Sequence, residues 1–276
     1  MLMLCRPGEK EVRAVAEEIF RLPTGGIWTP QEERAFLRRT PSARALVFAS
    51  WAALEPEEGR FDESAFDALR QRLMELLRMG AEPALCLYAG EDPAWFAAKG
   101  GWTKEDNLRC YLRYAGRTVR AAGHLAGSFV TMYAPNEAVW GTDAERGLGR
   151  GLRTLSYMAC DHVRAVKLIR DTLQQRFREE APVGFVLRMA PALELRRGLL
   201  TKKSRVTASL YQKQPLLAMA KGEFIPPMRN ILRVRPGAWC DFVGVDCPAE
   251  KRQRVLTETA ALIGAPLWII RRPEEE

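Results

Sequence analysis

Phe129-Val-Thr-Met-Tyr-Ala-Pro-Asn-Glu-Ala138 is the stretch on which the fold turns. Aromatic and β-branched residues from Phe129 to Tyr133 predict a β-strand, and Pro135, which has no N–H to give to a ladder, stops it. The strand runs straight into an Asn136-Glu137 pair. A carboxylate at the carboxyl end of a buried strand is where an α/β barrel presents its chemistry. Glu137 also reads as one solvated loop carboxylate among 34 acidic residues, and its flanks decide between the two.

Toward the amino terminus, Ala45-Leu-Val-Phe-Ala-Ser50 and Pro83-Ala-Leu-Cys-Leu-Tyr88 are continuous apolar runs that suit strands covered on both faces. Between them Asp62 caps a helix with Phe66, Leu69, Leu73 and Leu76 on one face, and Gly80 closes it. Thr103 is placed to cap a further helix carrying Leu108, Tyr111, Leu112, Ala115 and Val119. Beyond the opening stretch come a helix from Leu152 to Phe177 and a strand from Val183 to Leu187. A basic segment follows, 191–222, irregular or helical, then a strand from Asp241 to Val245, a helix from Glu250 to Gly264 and a strand from Pro266 to Ile270. Residues 9 to 22 carry helical spacing, and Thr29-Pro30 opens a second short helix over Gln31 to Arg39. Strands alternating with helices predict a parallel α/β fold of about six strands.

The 276 residues suit one domain, 1–276, with a divergent segment at 1–43 and a frayed tail at 274–276. The net charge is +8, but Arg and Lys are interleaved with acids, so it reads as solvated helix faces; nucleic acid is an unlikely partner. Six widely spaced cysteines contain no C-x-x-C pair, which argues against zinc and for a reducing cytoplasm. No apolar run approaches the ~18 residues that a membrane span needs. Nothing in the sequence calls for a cofactor.

From residue 44 to 273 a series of landmarks in order is similar to one family: Ser50-Trp51, Leu54-Glu-Pro-Glu-Glu-Gly59, Phe61-Asp-Glu, Asp92-Pro-Ala-Trp95, Gly100-Gly-Trp102, Asn136-Glu137-Ala138, Cys160-Asp-His-Val-Arg-Ala-Val166, Lys221-Gly-Glu-Phe-Ile-Pro226, Cys240-Asp-Phe-Val-Gly-Val245 and Pro266-Leu-Trp-Ile-Ile270. The sequence resembles glycoside hydrolase family 1, the β-glucosidase and β-galactosidase group. The resemblance implies a (β/α)8 TIM-barrel-like fold, incomplete here because the chain stops where the eighth strand should begin. It also implies retaining chemistry, in which two carboxylates about 5–5.5 Å apart act as acid/base and nucleophile. The acid/base falls on Glu137, and Asn136 would hydrogen-bond the sugar 2-hydroxyl. Arg271 stands where the nucleophile should be, and a guanidinium cannot form a glycosyl ester. Other sugar-binding positions are replaced by Leu46, Ala89, Gly90, Arg188, Asp246 and Cys247.

Each remaining site has two readings. Glu137 is a functional acid, or a carboxylate paired with Arg188 or Arg271. Asp246 is a substitute carboxylate near the lost nucleophile, or a strand-end Asx-turn residue. Arg188, Arg271 and Arg272 converge on an anionic ligand at the barrel mouth, or pair with Glu137 and Asp246. Trp51, Tyr88, Trp95, Trp102 and Trp140 form a carbohydrate groove, or pack beneath the loops. Glu91 and Asp92 read as solvated, His162 and His124 as structural. Two functions follow: a degenerate β-glycosidase that binds a carbohydrate, an anionic sugar-like ligand or a partner, and an active one pairing Glu137 with Asp246. A six-stranded sheet leaves unpaired edges. Either the segment Met1 to Cys5 supplies a strand, or the barrel stays open, or two chains meet as a homodimer.

Overall fold

A computed structural model describes residues 17–22, 29–40, 43–142, 148–189 and 202–272. In chain order the elements begin with β1 (Glu17–Phe20), α1 (Pro30–Arg39), β2 (Arg44–Phe48), a short α2 (Trp51–Leu54), α3 (Glu63–Arg78) and β3 (Glu82–Cys86). They continue with α4 (Ala94–Ala98), α5 (Leu108–Ala122), β4 (Ser128–Tyr133), α6 (Pro135–Thr142) and α7 (Leu148–Arg176). The last are β5 (Val183–Arg188), α8 (Lys202–Lys221), β6 (Phe242–Asp246), α9 (Arg252–Ala260) and β7 (Leu267–Arg271). β1 to β7 pair in sequence order, all parallel, and β7 returns to β1 to close a barrel. This is a TIM-barrel-like fold one strand short of the usual eight.

The closure corrects the expectation of an open six-stranded sheet. Residues 17 to 20, read as the end of a helix, form the missing stave, which pairs with β2 and with all four opposing residues of β7 from Trp268 to Arg271. The reason is local. Ile19 is fully buried in the barrel interior and Phe20 faces the opposite way, against Phe36 at 5.2 Å, and that in–out alternation is a strand's. Glu17 pairs with Arg44, and Glu18 with Arg271 at 3.7 Å. The gap that called for a second chain is thus filled from within. Residues 1–16, including the segment Met1 to Cys5, lie outside the described residues, as do 190–201 and the tail from 273 onward.

Two apolar layers build the core. Ile19, Leu46, Ala84, Cys86, Val130, Val186, Phe242, Trp268 and Ile270 fill the barrel. The Phe242 and Trp268 rings stack at 3.6 Å, and the Arg44 guanidinium covers Trp268 at 4.2 Å. Gly184 and Gly244 make this layer fit: a Cβ on Gly184 would lie 2.3 Å from the Phe242 carbonyl, and one on Gly244 2.6 Å from Val186. The outer layer lies between strands and helices, with Phe66, Leu73, Tyr111, Tyr114, Leu155, Ile169 and Leu217.

The helix starts follow their caps. Thr29 and Glu32 form a capping box with Pro30 at the first position of α1, and Asp62 accepts from Ser64 and Ala65 at the head of α3. Thr103 does not cap α5. It sits in a 3₁₀ turn with its hydroxyl donating to the Gly100 carbonyl at 2.6 Å, and α5 starts at Leu108. No helix of the described residues is long and apolar enough to cross a membrane.

Candidate active site

The opening stretch ends β4 with a turn that aims its polar pair. Ala134 adopts φ +48, a region that favours glycine, and its N–H donates to the Val186 carbonyl at 2.8 Å. The chain then enters α6 at Pro135, so Asn136 and Glu137 occupy the first turn of a helix rather than a loop. Asn136 is buried, and its amide stitches β4 to β5. Its Nδ2 donates to the Arg188 carbonyl at 2.7 Å and its Oδ1 accepts from the Arg188 N–H at 3.2 Å. This pair of hydrogen bonds to the Arg188 backbone holds the amide that the resemblance assigns to a sugar hydroxyl. The Glu137 side chain is 57% exposed and stands 3.8 Å from the Arg188 guanidinium.

Arg188 is shared. It also donates to Asp246 at 3.2 Å, and Asp246 ends β6 directly opposite Arg188 in the sheet register. Arg272 donates to both Asp246 oxygens at 3.2 Å, and the Tyr133 phenol donates to Oδ2 at 2.5 Å. The Asp246 side chain is only 2% exposed. Asp246 is therefore the hub of the mouth and not the cap of an Asx-turn. Burial, reinforced by the Asp246 carboxylate, pushes the Tyr133 phenol well above its usual range, so it stays a donor at neutral pH.

Arg271 points away from this network. Trp268 and Ile270 face the barrel interior, so Arg271 faces outward to Glu18, and Arg272 is the arginine that reaches the mouth. Of the two partners open to Glu137, Arg188 and Arg271, it is Arg188 that stands beside it, and the period-two geometry of a strand turns Arg272 to Asp246.

The aromatic groove is largely a packed cluster. Trp51 is 1% exposed, stacks on Tyr114 at 5.1 Å and donates its indole N–H to the buried Glu55 at 2.8 Å. Tyr88 and Trp102 are also buried, and both hold Asp92, at 3.0 and 3.1 Å. Asp92 is thus a hydrogen-bonded loop carboxylate, not a solvated one. Trp95 is half-buried with its indole N–H on the Glu55 carbonyl at 2.9 Å. Trp51, Tyr88 and Trp102 are buried, the first two at the wall of the mouth cleft, and the Trp140 side chain lies outside the described residues. Glu55, which also accepts from Arg113 at 3.0 Å, is a structural carboxylate that sequence reasoning missed. Its signal was the local Trp51-x-x-x-Glu55 spacing, one turn apart.

A cleft of about 470 Å³ opens beside the network, lined by Arg21, Phe48, Tyr88, Glu91, Tyr133 and Glu137 among others. A larger concavity of about 640 Å³ lies at the amino ends of β5 and β6, around Arg170, Glu179 and Asp241. In α/β barrels the carboxyl ends carry the chemistry, so the mouth cleft is the candidate site. Arg21, just past β1, was not singled out in the sequence, because its neighbours read as helix. His162 lies behind the barrel wall, with Nδ1 2.6 Å from Thr131, and burial lowers its pKa to about 3. Among the described residues, no three His, Cys, Asp or Glu gather as a metal site.

No protein-family profile matches the chain. The β-glycosidase from Pyrococcus horikoshii superposes with a TM-score of 0.65 at 18% identity, over 88% of this chain and 64% of that one. The fold is that of the glycoside hydrolase family 1 barrels. The β-glucosidase from Exiguobacterium marinum matches at TM-score 0.62 and 18% identity, over 79% of this chain and 53% of its own. In sequence, the 6-phospho-β-glucosidase GmuD of Bacillus subtilis (strain 168) is 22% identical over 219 residues, 75% of this chain and 45% of the relative. The chain thus spans about half the length of relatives it matches. At the mouth Glu137 stands beside Arg188, and of the two arginines that end β7 Arg272 turns to Asp246 while Arg271 turns to Glu18.

Proposed function

We propose that this protein is a family 1-like β-glycosidase barrel that holds a carbohydrate or anionic sugar-like ligand in its mouth cleft without retaining hydrolysis. The observation that carries this reading is the state of Asp246. A nucleophile must touch the anomeric carbon, and a carboxylate 2% exposed that already accepts from a phenol and two guanidiniums is closed to it. Neither Arg271 nor Arg272 can take that role. The exposed Glu137 keeps a place in the cleft, where it accepts hydroxyl hydrogens from a bound sugar. Residence in the cytoplasm, with its thiols reduced, belongs to the same reading.

The test is turnover of aryl β-glucoside, aryl β-galactoside and aryl 6-phospho-β-glucoside. The expected result is no release above a Glu137→Gln control, together with a rise in melting temperature on adding free sugar. Turnover that disappears in Glu137→Gln overturns the proposal.

The second reading, an active O-glycosyl hydrolase with Glu137 as acid/base and Asp246 as nucleophile, draws support from the guanidinium those two carboxylates share. It requires that Asp246→Asn abolish turnover as completely as Glu137→Gln, and that a covalent glycosyl adduct form on Asp246.

A further inference from the structure

The arginines that first suggested an anionic ligand are occupied. Arg188 bridges Glu137 and Asp246, Arg272 clasps Asp246, and Arg271 faces Glu18. Arg21 differs from all three. It lines the mouth cleft, and among the described residues no carboxylate pairs with it. Its guanidinium lies 5.2 Å from the Tyr133 ring centroid and 5.5 Å from that of Phe48, with one N–H donating to the Tyr133 hydroxyl at 3.3 Å. Tyr133 in turn donates to Asp246. The chain Arg21 to Tyr133 to Asp246 holds one N–H of the guanidinium at the cleft wall, and a guanidinium carries further donors with which to grip an anion.

We infer that Arg21 is the subsite for one anionic group, a carboxylate or a phosphate, on a monosaccharide-sized ligand in the mouth cleft. The inference rests on the binding reading above and gives its ligand a charge. A cleft of about 470 Å³ is the size of a small-ligand site. The mouth's other pairs cancel, Arg188 and Arg272 against Glu137 and Asp246, which leaves Arg21 as a cleft cation with no ion pair among the described residues. Glu91 and Glu137 line the same cleft. They accept hydroxyl hydrogens but repel a second anion, so the ligand carries one charge and presents hydroxyls to the acidic wall.

Calorimetric titration at fixed ionic strength tests this with glucose, glucose 6-phosphate, glucuronate and inorganic phosphate. The wild type should bind glucose 6-phosphate or glucuronate at least tenfold more tightly than glucose, and the stronger of the two names the anion. Arg21→Gln should reduce that ratio to about one. Arg21→Lys, which keeps the charge and the stem but loses the fork, should weaken the anion severalfold even if Arg21→Gln fails to fold. Equal affinity for charged and neutral sugars in the wild type, a preference that survives in Arg21→Gln, or one undiminished in Arg21→Lys overturns the subsite. Glucose binding without an anion preference removes the subsite and keeps the binding reading. Arg21-dependent phosphate binding with no sugar bound does the reverse, and no binding by any probe removes both.

Discussion

At the scale of single residues, Asp246 decides what the mouth can do, because three donors converge on one buried carboxylate. Asp246→Asn leaves Arg188 and Arg272 without their counter-charge. Removing one partner of a fully buried pair costs about 3–5 kcal/mol. These arginines are 37% and 30% exposed, so water recovers part of that, and a loss of about 2–3 kcal/mol in urea unfolding is expected. Glu137→Gln should change stability by less than about 0.5 kcal/mol, since Glu137 is 57% exposed and pairs at the limit of contact. A large loss from Glu137→Gln, or none from Asp246→Asn, would reverse the roles assigned to the two carboxylates. That Glu137 and Asp246 follow strand ends was legible in the sequence, and the family resemblance singled them out. Which of them is closed to a ligand was not, because it depends on Tyr133, 113 positions away from Asp246.

At the scale of elements, the junction of β4 and α6 holds strain against hydrogen bonds. Ala134 sits at φ +48 while Asn136 clips α6 to the end of β5. Ala134→Gly should be neutral or stabilising by up to about 1 kcal/mol, whereas Ala134→Val should destabilise by about 1–3 kcal/mol. Asn136→Ala leaves two buried backbone groups unpaired and should lose about 1–3 kcal/mol. The measurement is the unfolding midpoint of each variant, and a destabilised Ala134→Gly would mean the turn is not strained. Most elements were readable from apolar runs and caps: Asp62 for α3, Thr29 with Glu32 for α1, the apolar runs of β2, β3 and β4. β1 was not, because Glu-Glu-Ile-Phe is too short to set a period and its two charges look like a helix surface. Only its neighbours Arg44 and Arg271 explain them. The aromatics kept two readings for a related reason, since composition places them at the mouth but cannot say which way a ring turns.

At the scale of the whole molecule, two buried groups on α7 set the pH profile. Burial lowers the His162 pKa to about 3 from an ordinary 6.5, so its contribution is complete above pH 6.5 and is lost as pH falls toward 3. Burial raises the Asp161 pKa to about 8 from 3.8, despite the opposing Arg164, so its contribution is complete below pH 3.8 and is lost as pH rises toward 8. Between about pH 4 and 6.5 the two slopes oppose each other and stability is flat. From pH 6.5 to 8 only Asp161 acts, and stability falls by up to about 1.4 kcal/mol per pH unit. Asp161→Asn should flatten that alkaline limb in thermal melts taken across the range; an unchanged limb would show that the carboxyl is already ionised at neutral pH.

β1 joins β2 through two residue pairs, against five for β2 with β3. The barrel therefore has a seam, and native-state hydrogen exchange should find it. The amides along Ile19, Phe20 and Arg21 should trade deuterium well before those of Val243 and Leu187 deep in the opposite wall. Arg21 stands at the end of β1, beside this short join, so an anion gripped there would act as a rivet. Slower exchange at β1 on adding ligand, with no change at β5, would reveal a barrel whose closure is tuned by what it holds.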